Sequence, residues 1–492
     1  MISSDRMAAV DRNAAALGVP QKQLMESSGS AVARAVRRVA DPGAAVAVVA
    51  GRGNNGGDAL VATRFLDDYV TTVHLLGRPE TIRTRITREN WDALRAGEYD
   101  TRTLTDADAV DLGSPDVVVD AMLGTGVTGG LREPEATAAD AVNRADATVV
   151  SVDVPSGVNA DTGEVAGVAA DADSGRGAGV AVDADRVVTF HDRKPGLDAV
   201  DAEVTVADIG IPTAAERFVG PGDLLGLDRD PGSHKGDAGE VLVIGGGPYA
   251  GAPALAGRAA LRAGADLVRV ACPASVAGSV QGFSENLIVR PYEGERFTPD
   301  RVDAVLAAAT DHDAVVIGPG LGDHPETDAA VRGFLTEYDG VAVVDADALA
   351  TVPDVDTDAT LLCTPHQGEL RGMGGETADE WRARVELVSE FAADLGHLLL
   401  VKGAYDVVAD GVKSRINRTG NPAMTVGGTG DVLAGAVGAL ACVLAPRRAA
   451  SVAAYATGRA GDAAADGRGG GLVATDLLDR LPAALQDREV GE

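Results

Sequence analysis

The sequence predicts an α/β protein of two domains, each built on a mostly parallel sheet. Three observations carry that expectation. The chain has 492 residues, room for two or three domains at about 150 each. Short β-branched runs alternate with Ala-rich helical patterns along its whole length, the signature of βαβ units. The alternation pauses once, at residues 211–233 (IPTAAERFVGPGDLLGLDRDPGS), where Pro and Gly cluster and no element of ordinary length fits. The domain junction is placed there.

In the first half a helix is expected from the helical spacing of Leu24, Met25, Ser28, Val32, Val36 and Val39. Six strands follow, at Val46–Ala50, Val73–Leu76, Val117–Asp120, Thr148–Asp153, Val187–Phe190 and Val204–Ala207, each apolar and too short for a helix. Residues 161–184 are rich in Gly, Ala and Asp without a period, and read as a loop-like insertion. In the second half strands are expected at Val241–Ile244, Leu267–Ala271, Val315–Ile317, Ala342–Asp345, Leu361–Thr364, Leu398–Val401 and Asp406–Ala409, with a helix starting near Asp431. The two halves share a class but no order of motifs, which indicates a fusion rather than a duplication.

Composition narrows the function. Hydrophobic residues make up 45% and charged residues 24%, close to globular averages, which excludes wholesale disorder, collagen and short disulfide scaffolds. The net charge of −31 repels phosphate backbones and anionic membranes, so neither nucleic acid nor membrane is an expected partner. Asp (52) far outnumbers Glu (22), and only five lysines (Lys22, Lys194, Lys235, Lys402, Lys413) stand beside 38 arginines, a balance that suggests a halophilic, high-salt cytoplasm. Cys272, Cys363 and Cys442 are odd in number and far apart, as expected of buried apolar residues in a reducing compartment. The opening MISSDRMAAVDRN lacks the pattern of a signal peptide, and the longest apolar stretch, Val432–Ala445, is too short to span a bilayer. A soluble, cytoplasmic protein is expected, assembled as a homo-oligomer.

Chemistry gathers where strands end. Val46–Ala50 runs into GRGNNGGD (51–58) and a helix, and glycines there let backbone amides approach a phosphate closely, although Asn-Gly is also an ordinary turn dipeptide. Asn54, Asn55 and Asp58 add amide oxygens and a carboxylate. Two later strands end at Asp120, before Gly124, Thr125 and Gly126, and at Asp153, before Ser156 and Gly157. Any one strand-end Asp could be a turn cap. Three such ends should converge on one crevice, because ligands in doubly wound sheets sit outside the carboxyl ends of strands.

The C-terminal half carries GNPAMTVGGTGDVLAGAVGAL (420–440), with Gly427, Gly428, Gly430 and Asp431 at the start of an apolar helix. Such a start offers amide donors and a positive dipole end to an anion, and a carboxylate there can serve as general base in phosphoryl transfer. A capping Asp would explain Asp431 but not the glycines. Upstream lie HKGDAG (234–239), IGGGPYAGAPALA (244–256), GPGLG (318–322), DADAL (345–349), TPHQGEL (364–370) and VKGAYD (401–406), and there is no Walker A pattern. Lys194, Lys235 and Lys402 fall inside these motifs in a chain that otherwise prefers Arg, which marks them as candidate phosphate-binding point charges.

GRGNNGGD, DAMLGTGVTGG, SVDVPSGVNADTG and TFHDRKPGL (189–197), in that order, resemble the NAD(P)HX epimerases of the YjeF-N type, over about residues 1–218. The resemblance implies a Rossmann-like domain in which Asn54, Asn55, Gly56, Gly57, Asp58, Gly124, Thr125, Gly126, Val127, Thr128, Gly129, Gly130 and Asp153 hold the hydrated dinucleotide (NADHX or NADPHX). It further implies that Asp153 is the acid/base and that Asn55, Asp120 and Ser156 bind potassium (K+), a hard cation suited to oxygen ligands. The 161–184 insertion is longer than the family pattern. The second set of motifs resembles the ADP/ATP-dependent NAD(P)HX dehydratases of the ribokinase-like superfamily, over about residues 224–492. There the resemblance implies that Lys402, Gly403, Ala404, Tyr405, Asp406 and Gly430 contact ADP or ATP, brought with Mg2+. Ala254, Gly320 or Gly322, His366 and Asp431 would contact the hydrate, with Asp431 catalytic. Gln367 stands where Pro is common and Gly247 where Ser is common; neither change removes a reactive group. The implied activity is a bifunctional repair of nicotinamide nucleotides, an isomerase joined to a lyase. The rival reading is a ribokinase-like small-molecule kinase fused to a non-catalytic binding module.

Overall fold

The computed structural model describes residues 1–126, 129–165 and 179–486. The chain divides into two compact units, Met1–Ala215 and Glu216–Glu492. Both are α/β, as the sequence predicts.

The N-terminal unit holds a seven-stranded sheet: β1 (Ala45–Ala50), β2 (Val70–Leu76), β3 (Asp100–Leu104), β4 (Val117–Ala121), β5 (Thr148–Val152), β6 (Arg186–Phe190) and β7 (Glu203–Ala207). Every pairing is parallel and the order is β3-β2-β1-β4-β5-β6-β7, so the winding reverses between β1 and β4. Strands buried on both faces explain the near-continuous valine runs. Val46, Val48 and Ala50 of β1 pack with Val32 and Val36 of helix Gln21–Val39, while Ala47 and Val49 pack with Ala138 and Val142 of helix Glu135–Arg144 on the other face. Helix Ser4–Ala16, whose Ser3 hydroxyl accepts from the Arg6 amide, adds to the first layer and carries too few large apolar residues to be read from periodicity.

The C-terminal unit holds nine strands: β8 (Glu240–Ile244), β9 (Leu267–Pro273), β10 (Ile288–Tyr292), β11 (Ala314–Ile317), β12 (Val341–Val344), β13 (Thr360–Cys363), β14 (Leu398–Val401), β15 (Asp406–Ala409) and β16 (Ser414–Asn417). Their order is β10-β9-β8-β11-β12-β13-β14-β15-β16, with only β15 and β16 joined antiparallel. Winding reverses between β8 and β11. Cores lie on both faces, the larger around the helices Gly251–Ala263, Thr429–Ala441 and Pro446–Arg468. A Cβ at Gly435 would lie 2.0 Å from the Ala256 carbonyl oxygen, so the first two of these helices touch backbone to backbone.

Every expected strand forms, most within a residue or two of its expected ends; β2 alone starts three residues early. Strands β3, β10 and β16 are additional, and each is a sheet edge. The expected junction contains only a short helix, Thr213–Arg217, and a 3-10 turn, Pro221–Leu224. Of the 161–184 insertion, residues 166–178 lie outside the described residues, and its described flanks add only an isolated Val158–Val165 bridge. Cys272 and Cys363 are buried and Cys442 half-buried, all free thiols. Among the described residues no helix is long and apolar enough to cross a membrane.

Candidate functional site

At the carboxyl end of β1 the chain turns through Gly51–Gly53 into helix Asn54–Arg64. The glycines divide into two kinds. A Cβ at Gly51 would lie 1.8 Å from the Met122 carbonyl oxygen and one at Gly56 2.0 Å from that of Gly51, while one at Gly57 would meet Thr87 and Met25; these three serve chain packing, and Gly56 and Gly57 are buried. A Cβ at Gly53 would meet nothing within 4 Å, and no side chain caps the helix there, so its first amides are open to a ligand.

A cavity of about 340 Å³ opens beside this turn, lined among others by Asn54, Asn55, Asp58, Gly124, Thr125, Gly126 and Asp153. Three strand ends therefore do converge. Gly129 and Gly130 follow the same loop outside the lining, and Val127 and Thr128 lie outside the described residues. Asp153 sits in the left-handed region at φ 66, a conformation that Asp tolerates better than most side chains. Its Oδ1 accepts from Lys194 Nζ at 2.7 Å, Thr189 Oγ1 at 3.0 Å and the Phe190 amide at 3.4 Å. Lys194 is fully buried and also donates to the Phe190 carbonyl at 2.8 Å. All these contacts engage one oxygen, leaving Oδ2 without a partner among the described residues.

Behind the cavity, Asp120 is fully buried at the end of β4. It accepts from Ser156 N (2.9 Å), Ser156 Oγ (2.6 Å), Ser151 Oγ (2.8 Å) and Met122 N (3.3 Å). Burial raises its pKa against the pull of these donors, and no cation pairs with it among the described residues. Ser156 Oγ accepts from the Leu123 amide at 3.0 Å, and Asn55 Nδ2 donates to the Leu123 carbonyl at 3.0 Å. Asn55, Asp120 and Ser156 thus meet around Leu123. The Oδ1 atoms of Asn54 and Asn55 are buried and unpartnered.

The second constellation lies at the carboxyl ends of β11 to β14. Gly318, Gly320 and Gly322 are all left-handed, and a Cβ at Gly318 would lie 1.8 Å from the Asp345 carbonyl oxygen. Asp345, buried at the end of β12, accepts from Thr364 Oγ1 at 2.7 Å and from Lys402 Nζ at 2.9 Å. Asp347 Oδ2 accepts from the Gly322 amide at 2.8 Å. Glu369 stands 3.7 Å from Lys402 Nζ, whose ammonium comes within 3.3 Å of where a Cβ on Gly430 would be.

Asp431 occupies the first turn of helix Thr429–Ala441, which opens on the left-handed Gly428 with no side-chain cap. Its carboxylate takes no hydrogen bond from a described residue, so it is not a cap. Burial, then the negative charges of Asp345 and Asp347, push its pKa up to about 7 against the opposing pull of Lys402. His366 accepts from the Gly368 and Glu369 amides through Nδ1 and keeps more than half its side chain exposed. Gly403, Ala404 and Tyr405 form the loop between β14 and β15. Asp406 shapes that loop, accepting from the Gly403 amide and from Asn417 Nδ2, both at 2.9 Å; burial raises its pKa to about 6. Ala254 faces the core and presents no exposed side chain. Lys235 is exposed at the entry to β8, the opposite end of the sheet from Lys402.

Sequence reasoning did not place Asp11, Arg52 and Arg83 at the first site or Asp345, Asp347 and Glu369 at the second. DADAL, just past β12, carried the same strand-end signal as Asp120 and Asp153. Asp11 had none, since it reaches the cavity from a surface helix.

Two family models match the chain: a YjeF-related N-terminus over residues 21–196 and an NAD(P)H-hydrate dehydratase over residues 241–483. Among curated proteins, the bifunctional NAD(P)H-hydrate repair enzyme Nnr of Methanothermobacter thermautotrophicus is 42% identical, covering 97% of this chain and 94% of its own. That of Pyrobaculum aerophilum is 42% identical over 99% and 98%, and that of Archaeoglobus fulgidus 39% over 98% of each. Similarity that runs through both units and nearly end to end leaves one assignment: the chain belongs to the family of bifunctional NAD(P)H-hydrate repair enzymes.

Proposed function

We propose that residues 1–218 interconvert the R and S epimers of hydrated NADH and NADPH, and that residues 224–492 dehydrate the S epimer at the expense of ADP or ATP, restoring the reduced dinucleotide. Asp431 carries the reading: a half-buried, unpartnered carboxylate at an uncapped, glycine-opened helix start beside Lys402 has no structural task, and a phosphoryl-transfer base suits that setting.

In the C-terminal unit Asp431 accepts the proton of the hydrate's hydroxyl as that oxygen attacks the terminal phosphorus, whose bond to the bridging oxygen breaks so that AMP leaves from ADP, or ADP from ATP. Lys402, held by Asp345, and the amides of Gly427–Gly430 neutralise the migrating phosphoryl group. Phosphate then leaves C6 with the bonding electrons, pushed by the N1 lone pair, and loss of a proton from C5 to solvent restores the C5=C6 double bond. The Gly403–Asp406 loop lies beside Lys402 to take the nucleotide, and Gly320, Gly322 and His366 border the hydrate. Mg2+ accompanies the nucleotide phosphates and offsets their charge; the described residues hold no cluster of three or more His, Cys, Asp or Glu that would bind it unaided.

In the N-terminal unit the dinucleotide phosphates lie at the open Gly53 turn and the ring beside Asp153, whose free oxygen exchanges a proton with the hydroxyl on the ring face that it meets. The residues at Leu123 fit a potassium ion: the buried Asn55 Oδ1 lacks a partner, and the buried Asp120 carboxyl has no cation beside it among the described residues. Asn55, Asp120 and Ser156 would hold the ion, which would supply positive charge to the site.

The test is incubation of purified R and S hydrates with the whole chain, with and without ADP or ATP, and with a fragment ending near residue 218. Epimerisation by both proteins and nucleotide-dependent dehydration by the whole chain alone are expected. A folded fragment without epimerase activity would favour the binding-module reading.

A further inference from the structure

The cavity beside Asp153 holds more acid than one hydroxyl transfer needs. Asp11, from helix Ser4–Ala16, and Asp58, from helix Asn54–Arg64, line it together with Asp153, and Lys194 is the buried cation beside them. Asp11 and Asp58 take no hydrogen bond or ion pair from any described residue. The other charges lining the cavity are Arg52, Arg83 and Glu135. They gather at the turn: the Arg83 amide donates to the Arg52 carbonyl at 2.9 Å, and Arg52 stands 3.7 Å from Glu135. The cavity is therefore polarised, with arginines and helix amides at one end for phosphates and an excess of carboxylate at the other. A site for phosphates alone would not put three carboxylates there. A ring that becomes cationic during reaction accounts for them.

Inverting the hydrated carbon sets a further demand. The C6–O bond breaks with both electrons leaving on oxygen, which takes a proton and departs as water, while the N1 lone pair forms the N1=C6 double bond of an iminium ion. Water then adds to the opposite face, the π electrons return to N1, and the added oxygen gives up a proton. Atoms and electrons balance without any co-reactant. Departure and addition occur on opposite faces, and Asp153, pinned through Oδ1 in a left-handed backbone, cannot serve both.

We propose that Asp11 is the second acid/base of the epimerase, serving the ring face that Asp153 does not reach. This rests on the epimerase reading above and deepens it. Asp11 is suited to the task because it belongs to a different element from Asp153 and has no structural partner to hold it in one state. Burial first, then the negative charge of Asp153, push it up to about 6, with Lys194 opposing. Both protonation states are thus populated near neutrality, as alternating donation and acceptance requires. Asp58 is held well above the usual carboxylate range by burial and by the negative charges of Asp153 and Asp11.

The test uses the full chain, R and S hydrates of NADH, no nucleotide, and 18O-labelled water, with inversion and label uptake measured separately. The wild type should invert both epimers and label them. Asp11→Asn should lower inversion by about 100-fold or more, while one epimer still exchanges its C6 oxygen with retention, because Asp153 still works its own face. Asp11→Glu should recover part of the inversion and move the limb of its pH profile near 6. Inversion at the wild-type rate in Asp11→Asn would overturn the proposal, as would a parallel fall of inversion and exchange with no recovery in Asp11→Glu. Should Asp11→Asn fail to fold, an unshifted pH limb in Asp11→Glu overturns it equally. A wild type that neither inverts nor labels would instead remove the epimerase reading itself.

Discussion

Asp431 and Lys194 are charged groups held under opposite rules. Asp431 is a charge without a partner, raised to about 7 chiefly by burial. A base must be ionised, so dehydration should climb as pH rises through about 7, and Asp431→Asn should lower it about 10²–10⁴-fold while epimerisation persists. Stability runs the other way. Because the folded pKa exceeds the unfolded value of 3.8, the fold binds the extra proton between those values and loses stability as pH rises towards 7. Asp431→Asn should therefore melt higher than wild type at pH 8, with the advantage shrinking as pH falls towards 4. Near-normal dehydration by the variant would remove Asp431 from the chemistry. Lys194, in contrast, is a buried charge whose partner Asp153 is fixed by it. Lys194→Met strands that carboxylate and should cost the N-terminal unit about 3–5 kcal/mol in denaturant unfolding. The motifs made Asp431 legible; Asp11 was not, since what brings it to the cavity is tertiary packing.

At the scale of elements, legibility followed burial. Central strands such as β1 and β11 are buried on both faces and spell continuous apolar runs. Three of the four sheet edges do not: β3 is Asp-Thr-Arg-Thr-Leu, β10 carries Pro291, and β16 is Ser-Arg-Ile-Asn. Edge strands meet solvent, tolerate charge and proline, and so lose the pattern by which strands are read. Helix Thr429–Ala441 depends on a closer fit. Its Gly435 lies against the Ala256 carbonyl, and the same helix carries Asp431 at its start. Gly435→Ala should force the helices apart at about 1–3 kcal/mol and, by moving the base, lower dehydration more than it lowers nucleotide binding. Thermal melts and a comparison of kcat with KM check both parts.

For the whole molecule the governing number is −31. Self-repulsion of that size should make the fold weaker in dilute buffer and stronger with either NaCl or KCl, since screening does not distinguish the cations. A site at Leu123 should distinguish them. Hydrate binding to the N-terminal unit is expected to favour potassium at matched ionic strength, and Asp120→Asn should erase that preference while leaving the salt dependence of unfolding nearly unchanged. Calorimetric titration in the two salts decides it; equal affinities would return Asn55, Asp120 and Ser156 to the role of turn residues. Asn is the suitable replacement because Ala would also strand the hydroxyls of Ser151 and Ser156.

The scarcity of lysine has a practical corollary for anyone handling the protein. Amine-directed acylation, the usual route to attaching a dye or a solid support, finds only five side-chain targets, and the two beside the reaction centres are the worst of them. Lys194 has no exposed surface, and Lys402 is only 20% exposed and tied to Asp345. Lys22 is 57% exposed, and Lys235 and Lys413 also lie at the surface. Coupling through side-chain amines therefore falls on Lys22, Lys235 and Lys413, and spares Lys194 and Lys402.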